Sequence, residues 1–497
     1  MAHGSAGLGE FTPRSVFYNE GRFGRLFPTL PPFAADTPLV RDALLELGAK
    51  GGPMDAGDDL SDPVALVVDP ALSLNNPNNP TMTAGFTFLG QFLDHDMTFD
   101  PTSSLARRQD PESIRNFRIP ALDLDSVYGG GPGASPHLYD NSVDGGRTTL
   151  LTEEIPGSAD VSIANTTRFD VPRNSQRTAL LGDPRNDENL IVSQFHLGLL
   201  RFHNRVLADV KCELGDGYTA GEIFAEAQRV VRWHYQWMIL HEFLPATAGA
   251  VTAADVLTHG PKHFIWRNDP YIPVEFSVGA YRFGHSQVRP SYRANFGTSA
   301  TDATRQFFAL IFDPTTAASD DPADLRGGRR APRRFIDWQT FFDFGDGRAR
   351  NNKLIDTKLS SVLFQLMGQA AGEPVSLASR NLLRSLTMKV PSGQRVAQAM
   401  QLPALDPGEL ADLATFKLRD RTPLWFYVLR EAEVAARGQH LGPVGGRIVA
   451  EVIYGLIKGD RTSFLRQDPH WTPTYGSGVS FTAADLLSAA GVVATLP

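Results

Sequence analysis

Two long segments with helical spacing stand back to back in the middle of the chain. They are residues 189–212 (NLIVSQFHLGLLRFHNRVLADVKC) and 220–243 (AGEIFAEAQRVVRWHYQWMILHEF). In the first, Ile191, Phe195, Leu199, Phe202 and Val206 recur at three- and four-residue steps, so one side is continuously apolar. Gly215 and Gly217 mark the turn between them, and Pro245 is predicted to close the second. The same periodicity recurs from Thr83 to Phe99, through Phe86, Leu89, Phe92, Leu93 and Met97. Further helical patterns lie near 355–371, 375–388, 392–401, 408–416, 424–436 and 443–458. Alternating strand patterns are scarce. The predicted class is mainly α: a single large helical domain with long ordered loops and little β-structure. Residues 1–80, rich in Pro, Gly and Asn, are predicted to form an extended arm packed on the body, 81–497, as one structural unit.

The 497 residues are 42% hydrophobic and 21% charged, an ordinary globular composition. A net charge of −8 argues against non-specific binding to nucleic acid or anionic membranes. No apolar run approaches the ~20 residues of a membrane span. The opening MAHGSAGLGEFTPRS lacks a basic region followed by an apolar core, so a classical signal peptide is not expected. The predicted location is cytoplasmic or reached by non-classical secretion. The lone Cys212 excludes internal disulfides, thiolate zinc sites and cysteine-held iron–sulfur clusters. It is expected to be a small buried hydrophobe at a helix end. The 31 Phe residues suit a large apolar interior or cofactor pocket. Residues 318–334, with five Arg between Arg326 and Arg334, read as a solvated surface loop. Trp233, His234, Trp237 and His241 read as core packing and ordinary hydrogen bonding.

Five short segments carry candidate chemistry. In GQFLDHD, a helix puts Gln91, Asp94 and His95 on one face and turns Asp96 about 100° away. Taken alone, a His flanked by Asp is more often a surface ion pair. In LDLDSVYGG, Asp123 and Asp125 alternate before a glycine turn. With Asp96 they would make an oxygen cage for Ca²⁺; an Asx-rich turn fits the pattern equally well. In LLGDPRNDENL, Arg185 and Glu188 stand at the entry to the first long helix, where a permanent cation can stabilise developing negative charge. In YRFGHSQVRP, His285 follows Gly284, which permits close approach of a flat ligand. In LASRNLLRSL, Asn381 and Arg384 lie one turn apart; Asn could accept a ligand histidine's N–H and Arg could hold a carboxylate.

In this order, GQFLDHD (90–96), LDLDSVYG (122–129), GDPRNDEN (182–189), FHNRV (202–206), YRFGHS (281–286) and NLLR (381–384) resemble the animal-type haem peroxidases of the peroxidase–cyclooxygenase superfamily. The N-terminal FGRLFPTLPPF and the scarcity of cysteine are similar to bacterial members. The resemblance implies haem b as cofactor, with His95, Arg185 and Gln91 as distal catalytic residues. It makes His285 the proximal iron ligand, Asn381 its hydrogen-bond partner, and Arg282 and Arg384 further haem-binding residues. Asp94 and Glu188 match carboxylates that form ester links to haem. Asp96, Asp123 and Asp125, with the carbonyls of Ile119 and Ala121, match a calcium site. Three departures stand out. Ile119 replaces a calcium-binding threonine. Asn189 stands where one member has a haem-linked methionine. SLTMKVPSGQ after Arg384 lacks the usual Arg-Asp-His-Gly run.

The implied activity is reduction of H₂O₂ through a ferryl intermediate, with oxidation of halide, thiocyanate or small phenolic donors. Neutral His95 would shuttle the peroxide proton and Arg185 would stabilise the departing oxygen. One alternative is a fatty-acid dioxygenase of the same superfamily. Those members carry a radical-forming tyrosine three residues before the proximal histidine; here that residue is Arg282, and Tyr281 is one position off. The other is a non-catalytic haem-binding or adhesive protein on the same scaffold.

Overall fold

A computed structural model describes residues 21–100, 105, 110–142, 146–369 and 372–496. The helices that build the body follow from the periodicity above. They are α1 (Pro38–Leu47), α2 (Gly85–Met97), α3 (Leu190–Leu214), α4 (Ala220–Met238), α5 (Leu377–Thr387), α6 (Gly393–Ala399), α7 (Leu424–Ala436) and α8 (Pro443–Gly459). Strands are short pairs. Gly21–Gly24 lies between Arg115–Asn116 (antiparallel) and Ile272–Pro273 (parallel), and Ser291–Asn295 pairs antiparallel with Phe307–Leu310. The class is therefore mainly α with small sheets only.

Local chemistry sets the helix starts. Asn189 caps α3 by accepting from the amides of Ile191 (3.1 Å) and Val192 (2.9 Å). Thr219 and Glu222 form a reciprocal capping box on α4. α3 packs between α2 and α4. Phe92 of α2 meets Phe195 of α3 edge to face at 5.4 Å, both fully buried. Each such ring contributes roughly 1.5–3 kcal/mol by leaving water. One connected apolar core runs from Phe23 to Ala490.

The arm is less extended than its composition suggests. Residues 1–20 of it, including the opening read for a signal peptide, lie outside the described residues. Thr37 accepts from Val40 and Pro38 opens α1, because proline's fixed φ and missing donor suit the first helical turn. The arm is tied down by Glu275, which accepts from the amides of Leu26 (2.8 Å) and Phe27 (3.1 Å), and by Phe33 N–H donating to Val390 (3.0 Å).

Several expectations are corrected. Pro245 does not end the second long helix: a wide π turn at Ile239–Phe243 carries α4 on into Leu244–Ala248. Such a turn absorbs proline's lost donor. The patterns at 355–371 and 408–416 form only single tight turns, Ser361–Phe364 and Ala411–Leu413; residues 370–371 lie outside the described residues. Leu359 instead exchanges backbone hydrogen bonds with Met54 and Ala56 of the arm, and those long-range bonds replace helical ones. Residues 318–334 are no solvated loop. Arg334 is buried, donating to the carbonyls of Asp324 (3.0 Å) and Pro322 (3.3 Å), and Arg330 pairs with Asp170 (3.0 Å) and Glu153. Cys212 is exposed, because the last turn of α3 leaves the core.

Candidate active site

A cavity of about 1600 Å³, counting its open mouth, lies between α2, the Asp183–Asn189 segment, the turn ending at His285, and α5. Its walls are largely apolar, with Phe86, Phe88, Val278 and Phe283 among them. Polar groups interrupt them: Gln91, Asp94, Arg185 and Glu188 from α2 and the Asp183–Asn189 segment, and Arg282, His285, Asn381 and Arg384 from the 280–285 turn and α5. The spacing argument for GQFLDHD holds in part: Gln91 and Asp94 face the cavity, whereas His95, expected on the same face, does not line it, and Asp96 is buried elsewhere.

α2 begins without a side-chain cap. Its first amides are satisfied by Ala84 N–H to Arg350 (2.7 Å) and Gly85 N–H to Phe341 (2.8 Å). Glycine is required at 85, because a Cβ would come within 2.4 Å of the Phe342 ring. His95 is fully buried, one layer behind the wall. Its Nδ1 lies 2.8 Å from Asn186 Oδ1. Its Nε2 has no hydrogen-bond partner among the described residues and stands 3.9 Å from Glu188 Oε1. Burial, and then the Arg185 charge, push His95 down to about 3. Gln91 is clamped, donating to Glu188 and accepting from Asn189 (3.1 Å). Burial raises Glu188 to about 7.

Arg185 is held rigidly. Its Nη2 donates to Asp183 (2.7 Å), to the His95 carbonyl (3.0 Å) and to the Thr98 carbonyl, and its guanidinium lies 4.7 Å from the Phe99 ring centroid. Asp183 caps its own turn through Arg185 N–H (2.8 Å) and also takes Arg118 (2.7 Å). Asn186, Asp183 and Arg118 are residues that sequence reasoning missed. The Asp-Pro pair at 183–184 is a turn signal that could have marked the first two.

His285 closes a tight turn (Ala280–His285) and is 7% exposed. Asn381 is its partner, with Nδ2 2.7 Å from His285 Nδ1, but the polarity differs from the expectation that Asn381 accepts. Arg282 donates to Asn381 Oδ1, and a guanidinium has only donors, so it claims the amide oxygen. The amide nitrogen is then what faces the ring. Burial, and then the Arg384 charge, lower Arg282 to about 10.

The acidic loop is close-knit. Asp96 accepts from Leu124 N–H (3.1 Å), Ser126 Oγ (2.9 Å) and Tyr235 OH (3.3 Å). The bond to Asp96 holds Leu124 at a φ of 66°, and Leu122, whose carbonyl accepts from Gln236 (3.3 Å), is at 53°, a left-handed conformation that leucine adopts at a cost. Asp125 turns to Arg118 (3.2 Å) and Ile119 N–H (3.3 Å), and the Ile119 carbonyl takes Ala121 N–H (2.8 Å). Asp123 accepts from Asp125 N–H (3.3 Å). Among the described residues, no three His, Cys, Asp or Glu side chains converge to hold a metal ion. Asp96, Asp123 and Asp125, expected to hold calcium with the carbonyls of Ile119 and Ala121, are buried near one another; Arg118 takes Asp125, and Ile119 brings no hydroxyl.

The donor set does fit a large flat apolar ligand carrying acid groups: an open apolar cavity, arginines and a histidine in its wall, and a buried imidazole nitrogen without a partner behind that wall. A Cβ at Gly284 would meet nothing within 4 Å, so the approach to His285 is open.

Comparison with known proteins agrees. Thyroid peroxidase of Rattus norvegicus is 25% identical over 392 residues, 74% of this chain and 40% of that protein. Eosinophil peroxidase of Homo sapiens is 27% identical over 137 residues, 26% of this chain and 19% of that one. The chain thus spans less than half the length of these relatives. Among solved structures, peroxidase A from Dictyostelium discoideum superposes with TM-score 0.58 at 17% identity, covering 97% of this chain and 95% of that one. A fatty acid α-dioxygenase of Oryza sativa gives TM-score 0.55 at 14% identity, covering 96% and 85%; both likenesses concern the fold alone. The family model described as animal haem peroxidase matches residues 111–405, a stretch that contains Arg185, Glu188, His285, Asn381 and Arg384, and on that match the chain belongs to the animal haem peroxidase family.

Proposed function

We propose that this protein is a haem peroxidase that reduces H₂O₂ and oxidises a small donor such as a halide, thiocyanate or a phenol. The observation that carries this is His95. A buried imidazole with an unpartnered Nε2 stands beside a rigidly held arginine, behind the wall of a large apolar cavity that a second imidazole, His285, lines. Haem b would lie in that cavity; for His285 Nε2 to face its iron the Asn381 amide would have to turn its oxygen to Nδ1, which would release Arg282 to join Arg384 at the haem's acid groups. Asp94 and Glu188 line the wall, where ester links to haem would form. When bound, haem supplies the redox centre at which peroxide oxygen is reduced. The chain's own residues manage the proton and the charge. His95 accepts the peroxide proton at Nε2 and returns it to the leaving oxygen, and Arg185 offsets the charge that develops there.

The dioxygenase alternative is disfavoured by the residue three positions before His285, inside its turn. Arg282 is engaged with Asn381 and with the Ser277 carbonyl (3.1 Å). Tyr281 is buried with its hydroxyl donating to Gly90 (3.1 Å).

The test is peroxide-dependent guaiacol oxidation by haemin-reconstituted protein, wild type against Arg185→Ala. A Soret band and turnover are expected in the wild type, with a loss of about 10²–10³-fold in the variant. Equal, near-background rates in both would favour a haem binder. Oxygen uptake on an unsaturated fatty acid without peroxide would favour the dioxygenase.

A further inference from the structure

Behind His95 lies an arrangement that the proposed activity does not by itself call for. Asn186 is completely buried between two buried histidines, with Oδ1 2.8 Å from His95 Nδ1 and Nδ2 3.0 Å from His196 Nδ1. His196 belongs to α3, and its ring packs edge-on against Phe92 of α2 at 6.0 Å. The backbone of Asn186 is fixed as well, its N–H donating to Asp183 (3.1 Å).

An amide oxygen only accepts and an amide nitrogen only donates. With its oxygen toward His95, Asn186 requires a proton on His95 Nδ1. A neutral ring then carries its lone pair on Nε2, the nitrogen that no described group takes. The opposite amide orientation would put the proton on Nε2 and leave no base there. Only the observed orientation also suits the ring after it has taken a proton, because a protonated imidazole has two donors and would face the amide nitrogen donor to donor. On its other side the amide is matched by a histidine in the complementary tautomer, whose Nε2 no described group takes. His196 Nδ1 accepts from Asn186 Nδ2, so its own proton sits on Nε2.

We infer that Asn186, held by His196, is a positioning residue that fixes the tautomer of His95 and so makes Nε2 the base. Neither residue touches the cavity, and both act through His95. The inference rests on the peroxidase reading for its catalytic consequence, but the tautomer itself does not depend on that reading.

The experiment separates the two. Nitrogen-15 NMR of ring-labelled histidines in the full-length, haem-free protein reports which nitrogen of His95 bears the proton, with assignment from a His95→Gln control. The wild type is expected to show the Nδ1–H form. Asn186→Ala should shift His95 toward Nε2–H or a mixture. Asn186→Asp, which keeps an acceptor in place, should restore Nδ1–H. His196→Phe frees the amide and should give a mixture, a second route should the alanine variant fail to fold. In haem-loaded protein, Asn186→Ala should lower kcat/KM for peroxide by about tenfold, the worth of one lost hydrogen bond, with KM for the electron donor unchanged. An Nε2–H form in the wild type overturns the inference. So does an unchanged His95 signature in Asn186→Ala, or in His196→Phe should the alanine variant not fold. The expected tautomers without peroxide turnover in any variant would leave the inference standing and remove the peroxidase reading instead.

Discussion

Replacing His95 by alanine is expected to lower kcat/KM for peroxide by about 10²–10⁴-fold, the usual contribution of a positioned acid–base group. Haem uptake should be little changed, because His95 lies behind the wall while Gln91, Asp94 and Glu188 form it. The pH profile is the sharper part of the prediction. Burial, and then the Arg185 charge, push His95 down to about 3. An imidazole with the ordinary pKa of about 6.5 would lose roughly tenfold in base per pH unit below that value. His95 stays neutral and able to accept a proton across the whole range above about 4, so the peroxide rate should be flat on the acid side. Stopped-flow measurement of the peroxide reaction from mildly acidic to neutral pH decides this, and an acid limb centred near 6.5 would contradict the assigned environment.

The same depressed pKa has a stability consequence of definite sign. Burial also holds His203 and His234 down to about 4. Unfolded, these rings take protons below about 6.5; folded, they refuse them. They take nothing from stability above that pH. Through these rings the folded state loses ground as pH falls from about 6.5 toward about 4, while Glu188 and Asp96, raised to about 7, act in the opposite sense. The imidazole share is the difference in urea-midpoint pH dependence between wild type and a His203→Gln, His234→Gln variant; no difference would show that the imidazoles are solvated in the folded protein.

Much of the site was legible because it is built on periodic structure. The apolar steps from Phe86 to Met97 determine α2, and α2 alone decides that Gln91 and Asp94 share a face while Asp96 points elsewhere. Asn381 and Arg384 follow in the same way from α5. What was not legible comes from contacts between segments far apart in the chain. Nothing local marks Arg118 as the partner of Asp183, 65 residues away. Nothing in the spacing of His196 reveals that Asn186 bridges it to His95. The helical pattern at 355–371 failed for the same reason: Ser361 N–H donates to Asp58 (3.0 Å) and Ser360 Oγ to Val288 (2.5 Å), so the arm and the body compete successfully for groups a helix would have used. The loop 318–334 was misread because a run of charges looks the same whether solvated or folded onto carboxylates. Its backbone brackets the site, with Leu190 N–H donating to Leu325 (2.8 Å) and Gly327 N–H to Glu188 (3.0 Å).

Arg118 and Asp183 form the charged spine that joins the acidic loop to Arg185, and removing one partner should be severe. Asp183 is completely buried; the Arg185 and Arg118 guanidinium groups overcome the cost of burial and hold its carboxyl well below the usual range. The loop is pressed against this segment: a Cβ at Gly182 would come within 2.5 Å of the Ser126 carbonyl. Breaking a buried ion pair by deleting one side typically costs about 3–5 kcal/mol, because the other charge is left without a partner. Arg118→Leu strands Asp125 beside Asp123 and Asp96. Burial and mutual repulsion already raise all three carboxyls, Asp96 to about 7. The variant should therefore lose stability of that order, read as a fall in the urea midpoint. Removing the stranded charge tests the cause: Arg118→Leu with Asp125→Asn should recover part of the loss, since two neutral partners are far cheaper to bury than one lone charge. Chelation separates a protein counter-ion from a bound one. With Asp125 answered by Arg118, EGTA should move the wild-type midpoint much less than Arg118→Leu does. An EGTA effect as large as the substitution, reversed by added Ca²⁺, would mean that an ion and not the guanidinium neutralises this loop.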